Sequence, residues 1–328
     1  MKKWTSLFLL ICVILSTGCQ NSQEKSVPTE AEFKIPKPSE NQTVISSEIP
    51  LHDILPEFLA YNMADNSLSL ICRLENEYTL YYLYADSIHS PNIHWHIPKG
   101  YTLDNFVYGT DGSFYAVLKH YNKKGNTCQT VVSLKKNGTY KTVPLKDINK
   151  VPDTKMDSYL KKKKKKSDHS ITDIQFSGTA LVITYSNYAV KFYNISEGMP
   201  LGDNGITGTP GQNVFYEHLF ITTGLTYGRQ DVLNYFDIRN GEKQNSIEMD
   251  DILYVTNYRE KLYILTKDRI LHSQAATKTF REAANIHGLT LPQKTQNLKL
   301  FATRNDILYL FVQNHKGTPH LYRIPLIL

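Results

Sequence analysis

One short pattern recurs along most of this chain: an apolar strand, a polar turn and a second apolar strand. Its clearest copy runs from Phe106 to Leu145. There Asp111-Gly112, Gly125-Asn126 and Asn137-Gly138 mark turns, and β-branched and aromatic residues fill the runs between them. These residues predict a four-stranded antiparallel meander. The alternation returns in residues 58–72, 174–186, 253–265 and 301–312. The chain is therefore constrained to an all-β architecture made of repeated units.

Aligning the units on their second strands places Leu68-Ser69, Phe114-Tyr115, Leu181-Val182, Leu219-Phe220, Leu262-Tyr263 and Leu308-Tyr309 in register, at intervals of 46, 67, 38, 43 and 46 residues. A third strand follows each anchor, at 78–85, 130–136, 188–195, 232–238, 269–274 and 320–328. Six units result. The long interval holds an insertion around 150–169 that carries the chain's lysine run. The sixth unit stops at its third strand, which leaves an unpaired edge open to aggregation. Thr43 to Leu51 has strand character and no other partner, so it is expected to supply the missing fourth strand. On these repeats the chain resembles six-bladed β-propellers along residues 43–328. Seven blades and a pair of β-sandwiches stay open as alternatives.

The N-terminus reads as an address. Met1-Lys2-Lys3 is a positive start, Leu7 to Leu15 is a short apolar core, and Ser16-Thr17-Gly18-Cys19 is a run of small residues ending in cysteine. The apolar stretch is shorter than the roughly 20 residues a bilayer span needs. This segment resembles a bacterial lipoprotein signal peptide, 1–18, with its lipobox. The resemblance implies cleavage before Cys19, a diacylglycerol on its sulfur, and an extracytoplasmic protein anchored to the membrane. The family prefers leucine three residues before the cysteine, where this chain has Ser16. Residues 20–42 are rich in Ser, Glu, Gln, Lys and Pro and too poor in apolar residues to pack. As a flexible tether they would reach about 25 to 30 Å.

Composition fits a folded body and argues against a nucleic-acid partner. The 328 residues are 41% hydrophobic and 11% aromatic, enough to bury a substantial core. The 37 lysines and arginines against 31 acids give a formal charge of +6. Eight of those 37 sit in the first three residues and in Lys161, Lys162, Lys163, Lys164, Lys165 and Lys166, so the remainder is close to balanced. A nucleic-acid face would need basic residues spread among aromatics over a surface. The lysine run reads first as a solvated loop. Beside an anionic membrane or wall polymer it becomes a candidate binding surface.

Other candidates are weaker. His94-Trp95-His96 puts two imidazoles on one face of an outermost strand, but two ligands are not a metal site and the sequence shows no third. Cys72 and Cys128 fall on different strands of neighbouring units and read as buried free thiols. Most of the 22 tyrosines occupy strand positions that packing explains. The glycine-rich segment 202–212 is a loop of the kind that carries ligands in propellers. No serine elbow, metalloprotease helix, phosphate loop or repeated calcium loop is present, and no cofactor is expected. The expected function is a binding or scaffold module for a protein or an anionic envelope polymer. An enzyme acting on glycans or a small substrate is the alternative, because propeller enzymes draw their residues from several blades.

Overall fold

The computed structural model describes residues 47–326 apart from 85, 165–168, 178–179, 202–204, 217, 227–228, 250, 275–278, 287–288, 290, 292–296, 305 and 314–317. All of this lies in the unit formed by residues 34–328. Among the described residues, twenty-four strands form six four-stranded antiparallel sheets, the six blades of a β-propeller, and one helix stands outside them. The lipobox, Cys19 and the tether fall outside the described residues.

Each blade follows the chain outward from the channel. Blade one is β2 (Phe58–Asn62), β3 (Ser67–Leu74), β4 (Glu77–Tyr84) and β5 (Ser87–His96). Blade two is β6 (Tyr101–Tyr108), β7 (Phe114–Tyr121), β8 (Thr127–Leu134) and β9 (Tyr140–Thr142). Blade three is β10 (Ile171–Ser177), β11 (Ala180–Tyr185), β12 (Val190–Asn194) and β13 (Met199–Pro200). Blade four is β14 (Asn213–Tyr216), β15 (Leu219–Thr226), β16 (Arg229–Asp237) and β17 (Lys243–Glu248). Blade five is β18 (Tyr254–Tyr258), β19 (Lys261–Leu265), β20 (Arg269–Gln274) and β21 (Arg281–Asn285). All six anchor pairs read from the sequence lie at or within their blade's second strand.

Blade six is made from both ends of the fold. β22 (Asn297–Ala302), β23 (Ile307–Gln313) and β24 (His320–Pro325) are completed by β1 (Ser47–Ile49), which pairs antiparallel with β24 through Ser47↔Arg323, Glu48↔Tyr322 and Ile49↔Leu321. Among the described residues the closing strand expected at 43–51 is thus present at three paired positions, 47–49, and residues 43–46 fall outside the described residues. Its one inward side chain, Ile49, is buried in a cluster with Leu59, Leu68, Leu70, Phe311 and Leu321 that joins blade six to blade one. A buried side chain of that size contributes about 2 kcal/mol.

Similar apolar clusters fill the spaces between blades one and two, two and three, three and four, and five and six. A polar link also crosses every boundary. Tyr78 Oη accepts from Leu103 N (2.8 Å), Gln129 exchanges two hydrogen bonds with the Ile171 backbone (2.6 and 2.9 Å), and Asn213 donates to Thr184 Oγ1 (3.0 Å). Gln212 donates to the Leu253 carbonyl (2.9 Å), Lys261 pairs with Asp306 (3.2 Å), and Arg304 N donates to Tyr61 Oη (3.1 Å). These links hold each blade against the next.

The strand order defines two rims. Inner strands begin at one rim, which we call the upper one, and end at the lower. The turns that join second to third strands, and the connections from one blade to the next, lie at the upper rim.

The insertion departs from expectation in one respect. After β9 the chain runs up the flank of blade three, where Lys146 N donates to the Gly198 carbonyl (2.8 Å) and Tyr185 Oη donates to the Ile148 carbonyl (2.7 Å). It then forms helix α1 (Lys155–Lys162) at the upper rim. A solvated loop was the sequence reading of the lysine run, but its first two lysines are helical. Thr154 and Asp157 form a capping box at the helix start, and Lys161 and Lys162 sit in the last turn, where the helix dipole favours cations.

Candidate functional site

The six inner strands enclose a central cavity of about 1020 Å³. Side chains alternate along a strand, so every second residue of an inner strand faces this space. Two inner strands are bulged here. β6 shifts register between Asp104 and Val107, with Asn105 at φ 53°, and β10 shifts between Ile171 and Asp173. Bulges re-aim side chains and are common beside sites.

Across the upper part of the cavity, three charged or ionisable groups from three blades meet. Asp173 of blade three is buried, and its carboxylate accepts from Gln175 Nε2 (3.0 Å) and from the backbone amides of Gly211 and Ile174. The Lys299 ammonium comes from blade six, the blade opposite in the ring, where it lies beside the Tyr254 hydroxyl of blade five and acts on Asp173 through its charge. Burial pushes the Asp173 carboxyl above the usual range, with Lys299 pulling the other way. Tyr254 and then Asp173 hold Lys299 protonated above its ordinary value, against the cost of burial. Burial also raises Tyr254, opposed by Lys299.

A second charged group stands at the upper rim between blades one and two. Burial raises both Glu57 and Asp104 above ordinary carboxyl values, and the charge of Arg73 opposes this at each. Arg73 lies 3.8 Å from Glu57. Among the described residues lining the cavity there is no histidine or cysteine. The arrangement offers one cation, one shielded carboxyl and one phenol, which is the chemistry of a polar clamp.

The upper rim of blades two and three is basic and aromatic. Lys119, Lys123 and Lys124 belong to the β7–β8 hairpin, and α1 with its C-cap brings Lys161, Lys162, Lys163 and Lys164 to the same rim. Lys165 and Lys166 fall outside the described residues. The double hydrogen bond between Gln129 and Ile171 stitches the hairpin to the start of β10, where the insertion ends. Tyr121 and Tyr159 are 65% and 56% exposed, and each has a lysine ammonium 5.9 Å from its ring centre, Lys119 and Lys163 respectively. Leu74 and Leu55, on the blade-one side of this rim, are exposed as well.

Asp153, Asp157 and His169 gather at the base of α1 with ligand atoms within 4.8 Å of one another. Hydrogen bonding accounts for them. The fully buried Asp157 carboxylate accepts from Thr154 N (2.8 Å), Asn187 Nδ2 (2.7 Å) and His169 Nε2 (2.9 Å), while Asp153 is paired with Lys161 at 3.0 Å. This network fastens the helix to the β11–β12 turn.

His94 and His96 lie on β5, the outer strand of blade one, as the sequence predicted. Cys72 and Cys128 are free, and they are half-buried where full burial was expected. Burial pushes the Cys72 thiol up to about 11, which disfavours the thiolate form. Sequence reasoning missed Asp173, Tyr254 and Lys299. The available signal was a charged residue inside an otherwise apolar inner strand, as in Leu298-Lys299-Leu300.

Neither a protein-family model nor a curated protein matches this sequence. Solved structures do resemble the fold. One described as "Crystal Structure of Mitotic Checkpoint Complex" aligns at 11% identity with a TM-score of 0.47, covering 89% of this chain and 98% of the other. Another, "Dihydro-heme d1 dehydrogenase NirN in complex with DHE", aligns at 14% identity with a TM-score of 0.44, covering 82% of this chain and 57% of the other.

Proposed function

We propose that this protein is an extracytoplasmic lipoprotein, anchored through Cys19, whose propeller holds out the basic upper rim of blades two and three to an anionic partner in the cell envelope. One observation carries the reading. The β7–β8 hairpin and α1 gather Lys119, Lys123, Lys124 and Lys161 to Lys164 on one rim. A cluster of like charge of this kind suits an anionic protein or polymer of the envelope. Exposed Tyr121 and Tyr159 add flat apolar area beside the charges, a mixture suited to binding.

The test is a pull-down from crosslinked membranes with the wild-type chain, a Cys19→Ala variant and a variant carrying Glu at positions 161 to 164. The wild type is expected to incorporate labelled fatty acid and to enrich a specific partner. Cys19→Ala should lose both. The charge-reversed variant should keep its lipid and lose the partner. Near an anionic surface each lysine is worth about 1 kcal/mol, so four together amount to at least about a hundredfold in capture. Undiminished capture by the reversed variant would sink the role of the lysines, and an unlipidated wild type would sink the anchor.

A second reading, an enzyme acting on glycans or a small substrate, is favoured by the shifted Asp173, Lys299 and Tyr254 in the cavity. It predicts that Asp173→Asn abolishes turnover of such a substrate and leaves partner capture intact.

A further inference from the structure

The third ligand that the sequence lacked beside His94 and His96 comes from the neighbouring strand. β4 and β5 pair in a register that sets Glu77 opposite His96 and Thr79 opposite His94, so all four side chains share one face of blade one. His94 Nδ1 lies 2.9 Å from Glu77 Oε1, and His96 Nδ1 lies 3.3 Å from Glu77 Oε2. Ligand atoms at about 2.05 Å around a tetrahedral zinc ion are themselves about 3.3 Å apart. The two imidazoles thus already stand at nearly that spacing from the carboxylate they share.

We propose that Glu77, His94 and His96 form a binding site for a divalent transition-metal ion of the zinc type on the outer face of blade one. Two imidazoles and a carboxylate are the donor set that zinc and copper take, and a water completes the coordination. The strand is held ready. Trp95, fully buried on the opposite face, donates through Nε1 to the Lys135 carbonyl of blade two (2.8 Å). The β8–β9 turn packs so closely on the His94 backbone that a Cβ on Gly138 would lie 2.7 Å from the His94 carbonyl oxygen. Thr79 Oγ1, 3.1 Å from His94 Nδ1, steadies that ring. His96 has a side chain 75% exposed, and a rotation of that side chain is what brings both imidazoles onto one ion. Such support around the ligands is what turns adjacent donors into a site.

The experiment is calorimetric titration of zinc chloride into the metal-stripped, untagged full chain in detergent, paired with quenching of tryptophan emission by Cu²⁺. The chain has two tryptophans, Trp4 and Trp95, and the second lies between the two ligands. One ion per chain is expected, with quenching that saturates at the same stoichiometry. His94→Ala, His96→Ala and Glu77→Gln should each weaken binding at least about tenfold. His169→Ala, at the hydrogen-bonded cluster under α1, should leave it unchanged. The proposal fails if no saturable binding occurs in the micromolar range. It also fails if binding survives the combined loss of His94 and His96.

Discussion

Asp173 and Lys299 sit on inner strands of opposite blades and face one central cavity. Lys299→Met would remove the positive charge that opposes the upward shift of the buried Asp173 carboxyl, a change expected to destabilise by about 1 kcal/mol or more at neutral pH. The pH dependence has a definite sign. The Asp173 carboxyl titrates above its unfolded value, so the folded state binds the proton more tightly and stability falls as pH rises through the folded value. Losing Lys299 raises that value further. Urea unfolding should therefore show its largest difference between variant and wild type at pH 7.5 and a smaller one as the pH is lowered and the carboxyl takes up its proton. An equal loss at every pH would exclude this origin. Gly198 makes a second test. It sits at φ 65°, and an added methyl would run into the Pro144 carbonyl where the insertion crosses blade three. Gly198→Ala is expected to cost at least about 2 kcal/mol, read as a lowered urea midpoint. The charge of Lys299 within an apolar strand was visible in the sequence, but its partner was not. Asp173 and Lys299 are 126 positions apart, and only the closed ring brings them together.

Elements were far more legible than contacts. A strand declares itself through β-branched and aromatic runs bounded by Gly and Asn turns, all local properties, and the anchors from Leu68 to Leu308 map onto the second strands of successive blades. The closing strand was legible for a different reason: an unpaired edge on β24 demanded a partner, and 43–51 was the stretch without one. Helix α1 was hidden because six consecutive lysines repel one another in isolation. Here the chain is organised from the other end, by the Thr154–Asp157 cap and by Asn187 of blade three, 30 positions along from Asp157. For β1 the expectation is specific. Ile49→Asp places a charge in the apolar seam with Leu59, Leu68 and Leu321. Thermal unfolding should come at markedly lower temperature, and light scattering should show association through the freed edge of β24. A variant as stable and monomeric as the wild type would mean that three paired residues contribute little to closure.

For the molecule as a whole, charge is unevenly placed, and this is what separates the proposed platform from an ordinary soluble ring. Exposed lysines on α1 and the β7–β8 hairpin are screened over about 8 Å at physiological ionic strength. Capture of the anionic partner should therefore weaken steeply as salt is raised, while occupancy of the Glu77, His94 and His96 site by zinc should change little. The two surfaces lie on different blades, so either can be removed without the other.

Blade six has a mechanical side. β1 begins at Ser47 toward the lower rim and runs upward along β24 to Ile49. A pull directed along β1 loads the three paired positions together in shear instead of peeling them apart in turn. The joint that closes the ring thus meets such tension in its stronger direction.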